Sequence, residues 1–76
     1  MKEELKKIEK LFPKAEMHRD KEIVIYDTMT TLFVYKDNFD DYSIYIEDHY
    51  DYVICETTDF KKILKVLKAI RECKAS

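Results

Sequence analysis

Nine carboxylates stand between Ile23 and Phe60 with Lys36 as the single cation among them, so this stretch carries a net charge of −8. The acids are Asp27, Asp37, Asp40, Asp41, Glu47, Asp48, Asp51, Glu56 and Asp59. Carboxylates can transfer protons, hold a metal ion, or present charge to a partner, and each use needs different surroundings. Proton transfer needs a pocket that shifts pKa values. A chain of 76 residues buries only about 60% of its unfolded surface, which leaves little room for such a pocket beside the paired Asp40 and Asp41. The nucleophile inventory is equally thin: Ser43, Ser76 and two histidines, with Cys55 and Cys73 falling on a strand and on the inner face of a helix. No base stands beside any of them, and no enzymatic activity is expected.

Metal binding fares no better. Glu47, Asp48, His49 and Asp51 match no structural zinc spacing. The segment from Asp37 to Asp48 places acids at positions 1, 5 and 12 of a calcium loop, but Phe39 occupies position 3 and Tyr42 the position that requires glycine. Glycine is absent from the whole chain, which removes the phosphate-cradling loops and dinucleotide fingerprints. Neither a metal nor a cofactor is expected.

Presentation of charge remains. Carboxylates with pKa near 4 are ionised at neutral pH, and alternate residues on a strand lie roughly 6.6 Å apart, twice the rise per residue. Such a row resembles backbone phosphates, and a site built to attract polyanions would accept it. A solubilising surface would intersperse lysines among the acids, and here they are segregated. Residues before Ile23 hold seven cations against six carboxylates, and Lys61 to Ser76 hold six cations against one. The chain is an acidic body with a basic tail, an asymmetry that bears on partners rather than on fold.

The elements that position these charges follow from periodicity. Met1, Leu5, Ile8 and Phe12 recur at helical spacing, and Pro13 predicts that the helix ends at Leu11 or Phe12. Ala15 and Met17 alternate with Glu16 and His18 as a short strand, joined through a turn at Arg19 to Lys21 to a second strand over Glu22 to Asp27. Asp27 to Thr30 supplies turn-forming side chains, and Thr31 to Lys36, Tyr42 to Glu47 and Asp51 to Glu56 repeat the strand pattern. Their short connections favour antiparallel neighbours. Period two puts Ile23, Ile25, Leu32, Val34, Ile44, Ile46, Val53 and Cys55 on one face. Tyr26, Phe33, Tyr35, Tyr45 and Tyr52 fall on the other.

Thr57 or Thr58 can cap a last helix over Asp59 to Lys74, whose inner face is Phe60, Ile63, Leu64, Leu67, Ile70 and Cys73. Its outer face carries Lys61, Lys65 and Lys68. The expected fold is a single α+β domain over 1–76: an N-terminal helix, three to five antiparallel strands and a C-terminal helix in two layers. No apolar run reaches the ~18 residues that span a bilayer, and the start MKEELKKIEKLF lacks a signal-peptide core, so a cytoplasmic protein with reduced core cysteines is expected.

Two layers leave the tyrosine face uncovered, which makes it a candidate interface for a homodimer or a partner, because Tyr offers large contact area with a polar tip. Base stacking there is disfavoured by the neighbouring carboxylates. The lysine row is a solvated face, a phosphate contact, or the basic half of a head-to-tail self-association with the acidic sheet.

A short helix, an antiparallel sheet with acidic edges and turns, and a helical C-terminus in a small acidic-bodied chain resemble the inhibitors encoded by bacteriophages and mobile elements. Most similar are anti-CRISPR proteins with an αβββα core that mimic DNA. The resemblance implies that Asp37, Asp40, Asp41, Glu47, Asp48, Asp51 and Glu56 face arginines and lysines in the DNA-binding cleft of a CRISPR nuclease. The alternative is a small dimeric regulatory protein that pairs through the tyrosine face and contacts nucleic acid through Lys61, Lys65 and Lys68.

Overall fold

Leu5 and Ile8 share one face of α1, Lys2–Glu9, while Glu3 and Glu4 in its first turn and Lys6 and Lys7 in its last suit the helix dipole. The computed structural model describes residues 1–26, 31–46 and 49–75, and the side chains of 49–52, 74 and 75 are not among those described. The helix stops earlier than Pro13 predicts. Leu11 and Phe12 both donate their amides to the Ile8 carbonyl, at 2.9 and 2.8 Å, and this closing turn swings Phe12 into the core, where it is fully buried.

Five strands follow: β1 Glu16–His18, β2 Glu22–Ile25, β3 Leu32–Lys36, β4 Tyr42–Ile46 and β5 His49–Thr57. They form one antiparallel sheet in sequence order, the upper end of the expected range. The turn proposed at Asp27 to Thr30 lies outside the described residues. Arg19, in the β1–β2 turn, takes a left-handed φ of 60°, a geometry that glycine adopts more easily and this chain must assign to other residues.

Opposed residues in a ladder share a face. Ile23 opposes Val34, Ile25 opposes Leu32, Val34 opposes Ile44, and Ile44 opposes Cys55, so these line the covered face as the period-two pattern predicts. Val53 does not. The register shifts between Ile44 and Tyr45, and Val53 comes to oppose Tyr45 on the other face. Ile54 is the extra residue of this bulge and is 41% exposed.

Helix α2, Phe60–Ala75, lies against β4, β5 and α1. Its cap is Asp59 rather than a threonine: the Asp59 carboxylate accepts the Lys61 amide at 3.0 Å, and the Thr57 hydroxyl accepts the Asp59 amide at 3.0 Å. Ile63 and Leu67 are fully buried, and Phe60, Leu64, Val66 and Ile70 pack around them. Cys73, placed by its spacing on this inner face, is exposed in the last turn of α2, one turn beyond Ile70, which still packs on the core; Cys55 is half-buried against the core.

One polar cluster ties the layers together. Glu4 Oε2 accepts the Tyr42 hydroxyl at 2.9 Å and Lys36 Nζ at 3.3 Å, joining α1 to β3 and β4. The Tyr42 ring packs against Phe60 of α2 at 5.1 Å between centroids, and the Lys36 ammonium lies 5.6 Å from the Tyr42 ring centre. Burial works against the Glu4 charge, but hydrogen bonds from the backbone, Tyr42 and Lys36 outweigh it and hold its pKa below the ordinary 4.5. The Lys36 pKa is raised, chiefly by its hydrogen bond to Glu4, and the Tyr42 pKa is raised by burial and by the proton it donates to Glu4.

The signs define a pH window. Glu4, with its folded pKa depressed, contributes stability above pH 4.5 that is lost as pH falls through the lower folded value. Lys36 and Tyr42, with folded values raised, contribute below their ordinary 10.5 and 10.0 and lose it as pH rises past them. Glu4→Gln should cost about 1–2 kcal/mol in urea unfolding at neutral pH. The gap between the variant and the natural chain should close as pH falls below 4.5. A gap that stays constant with pH would show that the Glu4 charge is not what matters.

Candidate functional site

The face without helices is built from two cross-strand rows. One runs Val24, Phe33, Tyr45, Val53, and the next runs Glu22, Tyr35, Ser43, Glu56. On β1 the first row continues to Glu16 and the second to His18, so an aromatic and aliphatic row lies beside a polar row that runs from His18 and Glu22 to Glu56. Val24 is fully buried, while Phe33, Tyr35, Tyr45 and Val53 are half-buried. The rings of Tyr35 and Tyr45 lie 6.3 Å apart at 44°, a tilted contact across β3 and β4. Tyr26, just past β2, is 48% exposed. Tyr52 lies on β5, and its side chain is outside the described residues.

The polar row opens at its β4–β5 end into a cleft of about 400 Å³ lined by Tyr35, Tyr45, Ser43, Asp37, Asp41 and Glu56, with Tyr42, Thr57 and Thr58 completing its wall. Three carboxylates and several hydroxyls converge there, and among the described residues no lysine or arginine lines it. The acids and the tyrosines, two separate features in the sequence, thus meet in one place.

Their roles differ in detail. One Asp37 carboxylate oxygen accepts the amides of Phe39 at 2.7 Å and Asp41 at 3.0 Å, and the Asp37 amide donates to the Asp41 carbonyl at 2.9 Å. Asp37 therefore shapes the β3–β4 turn while still lining the cleft. Asp40, with φ of 62°, sits outside the cleft; its carboxylate is 82% exposed and lies 3.7 Å from Lys36 Nζ. Asp41 lines the cleft, so the adjacent pair is divided between two surfaces. Glu47 and Asp48 lie outside the described residues, and Asp51 is described only as part of β5.

Lys61, Lys65 and Lys68 are all exposed on α2. Lys65 and Lys68 border a groove of about 450 Å³ that is also lined by Leu11 and Leu64 and, on the opposite side, by Lys7 of α1 and Lys10 just past its end. Periodicity in one helix could not reveal this, because the rim is assembled from two. The sequence pattern also passed over Phe39, which is 85% exposed at the tip of the acidic turn. Its signal was a large apolar residue among turn formers, outside every strand.

Among the described residues no three His, Cys, Asp or Glu side chains are grouped to hold a metal ion. No helix among them is long and apolar enough to cross a membrane. Comparison with protein families, curated proteins and solved structures found no match to this chain.

Asp37→Ala removes the acceptor for two turn amides and should destabilise the fold by about 1–2 kcal/mol, whereas Asp37→Asn keeps an acceptor oxygen and should cost less than half of that. Urea midpoints of the two variants check this. Equal losses would mean that the charge of Asp37, and not its hydrogen bonding, holds the turn.

Proposed function

We propose that this protein is a non-enzymatic binding module whose acidic cleft and adjoining tyrosine face occupy a nucleic-acid-binding site on another protein and so inhibit it. The observation that supports this reading is the convergence of Asp37, Asp41 and Glu56 with Tyr35 and Tyr45 on the one sheet face that no helix covers. Carboxylates would replace phosphates against the partner's lysines and arginines, and the tyrosines would supply the desolvated contact area that charge alone lacks. No chemical step is required of the chain. A CRISPR nuclease, in the cytoplasm of a phage-infected cell, is the target class to which the architectural resemblance points.

A second reading, a small dimeric regulator contacting nucleic acid through α2, draws on the common exposure of Lys61, Lys65 and Lys68. Duplex-DNA affinity that falls steeply with salt would mark it.

The first reading is tested with Asp41→Lys combined with Glu56→Lys, both at exposed positions. Tagged natural chain should capture a nucleic-acid-binding protein from nuclease-treated bacterial lysate, and added duplex DNA should displace that protein. The double variant, with unchanged circular dichroism, should bind the captured partner about tenfold more weakly or worse. Undiminished binding, or capture indifferent to DNA, would rule out mimicry.

A further inference from the structure

The groove between α1 and α2 and the β3–β4 turn have opposite characters. The groove is lined by Leu11 and Leu64, with Lys7 and Lys10 on one side and Lys65 and Lys68 on the other. The turn has one apolar tip, Phe39, 85% exposed, within the run Asp37-Asn38-Phe39-Asp40-Asp41. The two patches share no residue and lie on different elements. A single exposed phenylalanine is unremarkable by itself, and so is a lysine-bordered groove. Their match in both charge and polarity is what needs an explanation.

We infer that the α1–α2 groove receives the β3–β4 turn of a second copy of this chain, with Phe39 seated on Leu11 and Leu64 and the turn carboxylates facing the four lysines. Local structure favours Phe39 as the anchor. Asp37 holds the turn through hydrogen bonds to the Phe39 and Asp41 amides, so the tip is presented in a fixed shape and little entropy is lost on docking. An aromatic anchor in an apolar pocket with a charged rim is the usual arrangement of an interface hot spot.

The contact joins two different patches, so made twice about a two-fold axis it closes a dimer, and made once per pair it runs head-to-tail into rings or chains. The surface involved is small, which places each step among weak, transient contacts with a dissociation constant between about 1 μM and 1 mM. The docked turn includes Asp41, which also lines the acidic cleft, so self-association and partner binding would compete for it. The inference itself does not depend on what the cleft binds.

Sedimentation velocity over a concentration series tests it. The natural chain should show a sedimentation coefficient that rises with concentration in low salt and falls back toward the monomer value in high salt. Phe39→Ala blunts the turn, and Lys65→Glu with Lys68→Glu closes the groove to an acidic turn; all three positions are exposed, and circular dichroism checks that the fold is kept. Each variant alone should be monomeric. Mixed, the blunt-turn variant still offers its groove and the altered-groove variant still offers its turn, so the mixture should form heterodimers and nothing larger. A natural chain that is monomeric at about 1 mM overturns the inference. So does assembly that survives both variants, which would place the contact on the tyrosine face. Binding of duplex DNA to the natural chain, abolished by Lys65→Glu with Lys68→Glu while no self-association occurs, would assign the groove to polyanions instead. Loss of partner capture on changing Asp41 and Glu56 reads the cleft separately, so either account can fail without the other.

Discussion

Two helices cannot cover both faces of a five-stranded sheet, and in this chain both lie on the same one. The commitment is enforced at Glu4, whose carboxylate takes hydrogen bonds from Tyr42 and Lys36 and so clamps α1 to β3 and β4. The Tyr42 ring extends the clamp to Phe60 at the start of α2. With Phe12, Ile63 and Leu67 buried on that side, the opposite face must meet water or a partner with its own side chains. The burial of Val24 and the half-burial of Phe33, Tyr35 and Tyr45 show how far that face shields itself through cross-strand contact.

The same constraint places the charge. Strands that alternate faces must send their polar residues to the open side, so Glu22, Ser43 and Glu56 line up beside Tyr35. The five-residue connection from β3 to β4 then adds Asp37 and Asp41 at the end of that row. Nine of the fourteen lysines and arginines belong to α1 and α2, on the other layer. Charge segregation along the sequence becomes segregation between the two sides of the molecule.

Much of this was legible from periodicity. Both helices, an antiparallel sheet of three to five strands and most of the covered face follow from residue spacing, because one face of each element is buried; β5 starts at His49, two residues before the spacing places it. The failures have separate physical causes. Val53 changes faces because of a bulge in β5, and an extra residue leaves no mark on an apolar run such as Val53-Ile54-Cys55. Cys73 keeps the helical spacing one turn past Ile70, which still packs on the core, and is exposed there. Glu4 looks like one more acid in the first turn of an amphipathic helix, and only tertiary contact with a tyrosine 38 residues away gives it a distinct role. Asp40 and Asp41 read as a pair, yet the left-handed backbone at Asp40 sends them to different surfaces.

The central claim is that the acidic end of the open sheet face is a docking surface and more than a solvated one. Amide chemical-shift mapping during titration with an arginine-rich peptide tests it most directly, at about 0.15 M salt, where scattered surface charges are largely screened. Saturable shifts concentrated at Tyr35, Asp41, Ser43, Glu56 and Thr57 are the predicted result. Shifts spread evenly over the exposed carboxylates, with Glu3, Glu9, Glu16 and Glu72 responding as strongly as the cleft, would contradict it.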